Sequence, residues 1–118
     1  MRGDFVTSRR RLGAFGEEVA CRFLVNRGAV ILGRNLTEGR GEVDILARVD
    51  ETVVAVEVKT VAAGQDQATD PLRSFSTDKA LQVAAVGSRL VPPARRVDVV
   101  GVVVRPGGVD VRWVKGVG

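Results

Sequence analysis

Between residues 8 and 27 apolar side chains return at three- and four-residue steps. Leu12, Phe15, Val19, Ala20, Phe23 and Leu24 fall on one stripe of an amphipathic helix. Thr7 or Ser8 can cap its start, and Gly28 supplies a stop. The period then shortens to that of strands. Ala29–Asn35 predicts a first strand, followed by the turn-prone stretch Thr37-Glu38-Gly39-Arg40-Gly41. Glu42–Val49 and Thr52–Val61 predict two more strands joined by a tight hairpin at Asp50 and Glu51. Residues 62–75 show no period and contain Gly64, Asp66, Asp70 and Pro71. They predict a loop and, with residues 1–7, the mobile parts of the chain.

Ser76 or Thr77 caps a second helix carrying Leu81, Ala84 and Ala85, which Pro92 and Pro93 halt. Arg96–Val104 is a nearly continuous Val run, the pattern of a strand covered on both faces. Pro106, Gly107 and Gly108 then turn the chain into a last strand, Val109–Lys115. The order α-β-β-β-α-β-β is that of an α/β fold with a central mixed sheet flanked by helices.

Length adds that this is one domain. At 118 residues the chain has enough for a single core, here about residues 8–115, and too few for a second. Aromatics are only 4% of residues, which argues against a surface that stacks bases on exposed rings. The net charge of +4 suits a polyanionic partner but is weak by itself. The absence of His is sharper: it excludes Ser-His-Asp and Cys-His catalysis and His-ligated zinc. Cys21 is the only cysteine, so no internal disulfide or thiolate cluster can form, and it reads as a packing residue. The N-terminus lacks the apolar region of a signal peptide, and no apolar run approaches the roughly 18 residues of a membrane span. The expected compartment is cytoplasmic, with no membrane partner.

Candidate chemistry lies in the hairpin. Strand alternation puts Val43, Ile45, Ala47 and Val49 on one face and Glu42, Asp44, Leu46 and Arg48 on the other. A turn centred on Asp50 and Glu51 pairs Val49 with Thr52. It then sets Leu46 against Ala55, Asp44 against Glu57 and Glu42 against Lys59. One face is wholly aliphatic, and the other gathers three carboxylates around one ammonium. Two carboxylates about 5 Å apart repel by roughly 3 kcal/mol at an effective dielectric of about 20. A fold selected for stability alone would avoid that pair. A divalent ion with hard oxygen ligands, Mg²⁺ in particular, would neutralise it. The bland alternative is a solvated salt-bridge ladder. The run Arg9-Arg10-Arg11 opposes the dipole at a helix start, so it is either solvated or aimed at an anion.

These pieces resemble the PD-(D/E)XK nuclease superfamily. More closely, the chain resembles the YraN-like family of small proteins related to Holliday junction resolvases. The residues carrying the likeness are Gly13, Gly16, Glu17 and Ala20, Arg34-Asn35, Gly41-Glu42-Val43-Asp44, Val56-Glu57-Val58-Lys59, Lys79, and Arg96-Val97-Asp98. The likeness spans roughly residues 12–115. It implies a restriction-endonuclease-like fold and a Mg²⁺- or Mn²⁺-dependent endonuclease acting on nucleic acid, DNA before RNA, with branched DNA one candidate substrate and the choice between branched and linear left open. Asp44, Glu57 and the Val58 backbone carbonyl would hold the metal, Lys59 would orient the attacking water, and Glu17 would act as an outer ligand. Lys79, Arg9, Arg10 and Arg11 would contact phosphates. A symmetric junction would call for two sites and hence a homodimer. The family commonly has an arginine two residues after the lysine, where this chain has Val61. Two other functions fit the composition: a non-catalytic nucleic-acid-binding protein retaining the fold, and a module whose charged face meets a protein.

Overall fold

The computed structural model describes residues 2–63 and 70–117, with the side chains of the first helix from residue 8 onward. Helix α1 spans Arg2–Asn26, and strands β1 (Val30–Glu38), β2 (Gly41–Val49) and β3 (Thr52–Ala62) follow. Helix α2 (Thr77–Ser88) precedes β4 (Arg96–Arg105) and β5 (Gly108–Val114). The expected loop at 62–75 lies in part outside the described residues. The strands form one sheet in the order β1-β2-β3-β4-β5. Three pairs are antiparallel, and β3 and β4, joined through α2, are parallel. This is the expected mixed α/β architecture.

Each helix covers one face of the sheet. Ala20, Cys21 and Leu24 of α1 pack with Ile45, Ala47, Val54, Val56, Val100 and Val102. Val83 and Val86 of α2 pack with Val43, Ala55 and Val97 on the other face. Behind the aliphatic face of Ile45, Ala47, Val54 and Val56 the sheet is apolar as well, with Ala55 packed with the α2 residues and its cross-strand partner Leu46 buried.

Three details depart from the periodicity of the chain. Helix α1 passes through Thr7 and Ser8 without stopping, since a polar side chain there favours a cap but does not forbid a helix interior. Arg9, Arg10 and Arg11 accordingly sit well inside the helix, beyond the first turn where the dipole opposes a cation. Phe15 is 47% exposed, and the buried stripe is Ala20, Cys21 and Leu24. In α2 the buried residues are Ala80, Val83, Val86 and Gly87, one position off the expected stripe, and Leu81 is 59% exposed.

The stops reflect local chemistry. Gly28 (φ 93°) ends α1, with Gly28 N–H donating to Val25 C=O and Ala29 N–H to Leu24 C=O, both at 3.0 Å. Ser76 caps α2, its Oγ accepting from Lys79 N–H at 3.2 Å. Asp50 (φ 55°) begins the two-residue turn that fixes Val49 opposite Thr52. At the far end of the sheet, fully buried Asp98 ties β4 to β5 and to the chain just after it. It accepts from Arg96 Nε (2.8 Å) and Nη2 (3.0 Å), Trp113 Nε1 (2.9 Å) and Gly116 N–H (2.9 Å).

Candidate functional site

The β2–β3 register runs as expected from Val49↔Thr52 through Leu46↔Ala55 to Ile45↔Val56, where the paired register stops. Beyond Ile45 the strand abandons simple alternation. Arg34 pairs with Ile45 and Leu36 with Val43, leaving Asn35 and Asp44 between them. Asn35 adopts a left-handed φ of 52°. A residue in that conformation breaks the two-residue period of the strand, so its neighbours no longer share a face. Ile45 packs with the α1 core and Val43 with the α2 core. Val43 therefore does not share a face with Ile45, and Asp44 does not stand squarely opposite Glu57 in a continuous ladder.

The kink aims Asp44 at the neighbouring strand. Its Oδ2 accepts from Val58 N–H at 2.8 Å, taking the place of a ladder partner. In an extended strand the N–H and C=O of one residue point to the same edge. The Val58 carbonyl thus faces the same opening between β2 and β3. Because the strands part here, side chains from both faces of β3 and from α1 meet around one cavity of about 360 Å³. Arg9, Glu17, Asp44, Glu57, Val58, Lys59 and Thr60 line it. Gly16 makes the approach of α1 close enough: a Cβ there would collide with Thr60 Oγ1.

The electrostatics are those of crowded, part-buried acids. Burial pushes the Glu57 carboxyl up to about 7, with the charge of Asp44 as the next cause. Burial also raises Asp44, opposed by the Val58 N–H, the hydrogen bond with Glu57 and the ammonium groups of Lys59 and Lys79. The two carboxyls hydrogen-bond each other, so the pair holds one proton between them. Burial raises Glu17 as well, followed by Asp44, while a hydrogen bond from the Asn35 side chain counteracts this. Lys59 Nζ lies 3.9 Å from Glu57 Oε2, a contact longer than a hydrogen bond. Desolvation lowers Lys59, and the adjacent Lys79 lowers it further.

The expected residues are therefore unequally gathered. Asp44, Glu57, Val58, Lys59 and Glu17 line one cavity, and Arg9 joins them from α1. Lys79 comes from the other side, where it lines a smaller recess of about 140 Å³ with Glu42 and Glu57. Arg10 and Arg11 are exposed and lie off both linings. Successive helix residues are about 100° apart, so only one of the three arginines can face the sheet. Among the described residues no group of three Asp, Glu or Cys side chains converges on a single point. The arrangement offers two carboxylates and a carbonyl. Asn35, part of the Arg34-Asn35 pair that carries the family likeness, had no expected site role, and Thr60 was not singled out from the sequence. An Asn inside a strand run, which tolerates left-handed φ, was the available signal for the first. Thr60 had none.

Comparison with known proteins places the same segment in view. A sequence model of the family described as "Uncharacterised protein family UPF0102" matches residues 16–102. The UPF0102 protein of Streptomyces coelicolor is 33% identical over 117 residues, covering 92% of this chain and 88% of the relative. That of Leifsonia xyli is 37% identical over 97 residues, covering 77% and 80%. A UPF0102 protein of Treponema pallidum is 54% identical over 50 residues, where the match spans 42% of this chain and 40% of the relative.

Proposed function

We propose that the chain, which belongs to the uncharacterised protein family UPF0102, is a divalent-metal-dependent endonuclease that hydrolyses phosphodiester bonds in nucleic acid. UPF0102 is the family to which the YraN-like motifs point. The observation that carries the reading is the meeting of Asp44, Glu57 and Lys59 at the opening between β2 and β3, with Asp44 anchored on Val58 N–H.

The donor set fits a hard divalent cation. Burial leaves Asp44 and Glu57 sharing a proton, and a cation with oxygen ligands would replace it. Asp44, Glu57 and the Val58 carbonyl would hold Mg²⁺ or Mn²⁺, which needs only one or two carboxylates and completes its shell with water. When bound, such an ion activates water and offsets charge on the phosphate.

The chain's own residues do the rest. Lys59 holds the attacking water or a phosphate oxygen beside Glu57, and its depressed affinity for a proton suits it to accept one. Lys79 brings a second cation from the α2 side, and Arg9 meets the substrate at the α1 wall. Glu17, steadied by Asn35, orients water at the edge of the site. None of these roles needs histidine.

The test is cleavage of branched, flapped, single- and double-stranded DNA, and of RNA, with Mg²⁺ or Mn²⁺, beside Lys59→Ala and Asp44→Asn. Metal-dependent products absent from both variants support the reading. Salt-dependent binding without cleavage of any substrate would overturn it in favour of a non-catalytic nucleic-acid-binding protein.

A further inference from the structure

A second cavity, of about 370 Å³, lies on the α2 face under the first turn of that helix. Its floor is apolar, built from half-buried Phe75 and Val114 over the fully buried Val99, and its rim carries Arg73 and Arg112. Both arginines are exposed, and neither forms an ion pair among the described residues. Asp70 also lines the cavity, with Oδ1 occupied by Leu72 N–H at 3.0 Å. A side chain at Gly101 would meet Pro71 Cγ at 2.7 Å, so the glycine lets the turn at 70–72 settle on the sheet and wall the cavity.

The sheet register fixes where this cavity stands relative to the carboxylates. Glu57 pairs with Val99, which pairs with Val114. Lys59 pairs with Gly101, which pairs with Arg112. Neighbouring strands are about 4.8 Å apart, so the floor starts one strand from Glu57, and the backbones of Lys59 and Arg112 lie about 10 Å apart on either side of Gly101 and the turn seated on it. That separation is within the span of adjoining nucleotides on one strand. An apolar floor of this size beneath cationic arms matches a base and its phosphate, since unstacked bases lie on aromatic rings and guanidinium planes.

We propose that this cavity receives the nucleotide next to the phosphodiester to be cut, with its base on the Phe75–Val99–Val114 floor and its phosphate between Arg73 and Arg112. The proposal rests on the endonuclease reading and narrows its substrate. A base can enter the cavity only after leaving its stack, so the preferred substrate has an unpaired nucleotide beside the cut.

Binding is measured by NMR on the isotope-labelled full chain, free of metal, with thymidine 5′-monophosphate, thymidine and inorganic phosphate as separate probes. The monophosphate should shift the Val99 and Val114 methyls and the Phe75 ring. Arg73→Ala and Arg112→Ala should each weaken it about tenfold, the loss expected for a charge-assisted hydrogen bond. Asp44→Asn should leave it within about twofold, as distant sites do. The proposal is overturned if the monophosphate moves no floor resonance, if phosphate alone reproduces the pattern, or if both arginine variants bind like the parent. Metal-dependent cleavage without floor shifts removes this cavity alone. Floor shifts in a protein that cleaves nothing remove the endonuclease reading and leave a nucleotide site.

Discussion

Replacing Glu57 with Gln removes one negative charge from the cavity while keeping the shape of the side chain. In the unfolded chain this carboxyl titrates near 4.5, and in the folded metal-free protein burial and Asp44 raise it to about 7. The folded protein thus holds a proton that the unfolded chain releases. Its stabilising share is fully present below pH 4.5 and is lost as pH rises through about 7. The separation corresponds to about 3 kcal/mol. The attraction of Lys59, 3.9 Å away, is already contained in that value. Glu57→Gln should therefore be more stable than the parent at pH 8 by about 3 kcal/mol, or roughly 12 °C in Tm, and equal to it below about pH 4. Thermal melts from about pH 4 to 8 in chelator read this directly. Mg²⁺ or Mn²⁺ at about a thousand times its Kd should then stabilise the parent by about 4.1 kcal/mol and the variant hardly at all, reversing the order. Parallel pH curves for the two proteins, or a variant less stable at pH 8, would refute a buried carboxyl dyad.

Lys59→Ala should lower any metal-dependent cleavage by about 10²–10³-fold, checked in single-turnover assays, while leaving the metal-induced rise in Tm in place. Arg9→Ala should reduce the salt dependence of nucleic-acid binding by up to about one unit of slope, and Arg11→Ala should leave it unchanged. Gly16→Ala forces α1 away from Thr60 and should cost about 1–3 kcal/mol in denaturant unfolding. Asp98→Ala strands Arg96, Trp113 Nε1 and Gly116 N–H, and should cost about 3–5 kcal/mol without altering the metal response of the melt.

The periodicities alone determined the element order and the hairpin register, because both are local. A two-residue turn at Asp50 and Glu51 leaves one pairing, and Gly28 and Ser76 carry their own stop and start signals. The residue types Asp44, Glu57 and Lys59 were also legible, since close carboxylates are chemically unusual wherever they occur. Tertiary structure decided how they meet. Strict alternation from Val49 puts Val43 beside Ile45, yet the left-handed Asn35 opposite Asp44 reverses the faces and turns Asp44 toward Val58 N–H. Nothing in a period of two announces that reversal. It was likewise the packing of α1 on β3, possible because residue 16 lacks a side chain, that brought Glu17 and Arg9 to the cavity and left Arg10 and Arg11 in solvent. The buried stripe of α2 slipped by one position for the same reason. A helix rich in Ala and Val offers several near-equal apolar faces, and the sheet beneath it selects one.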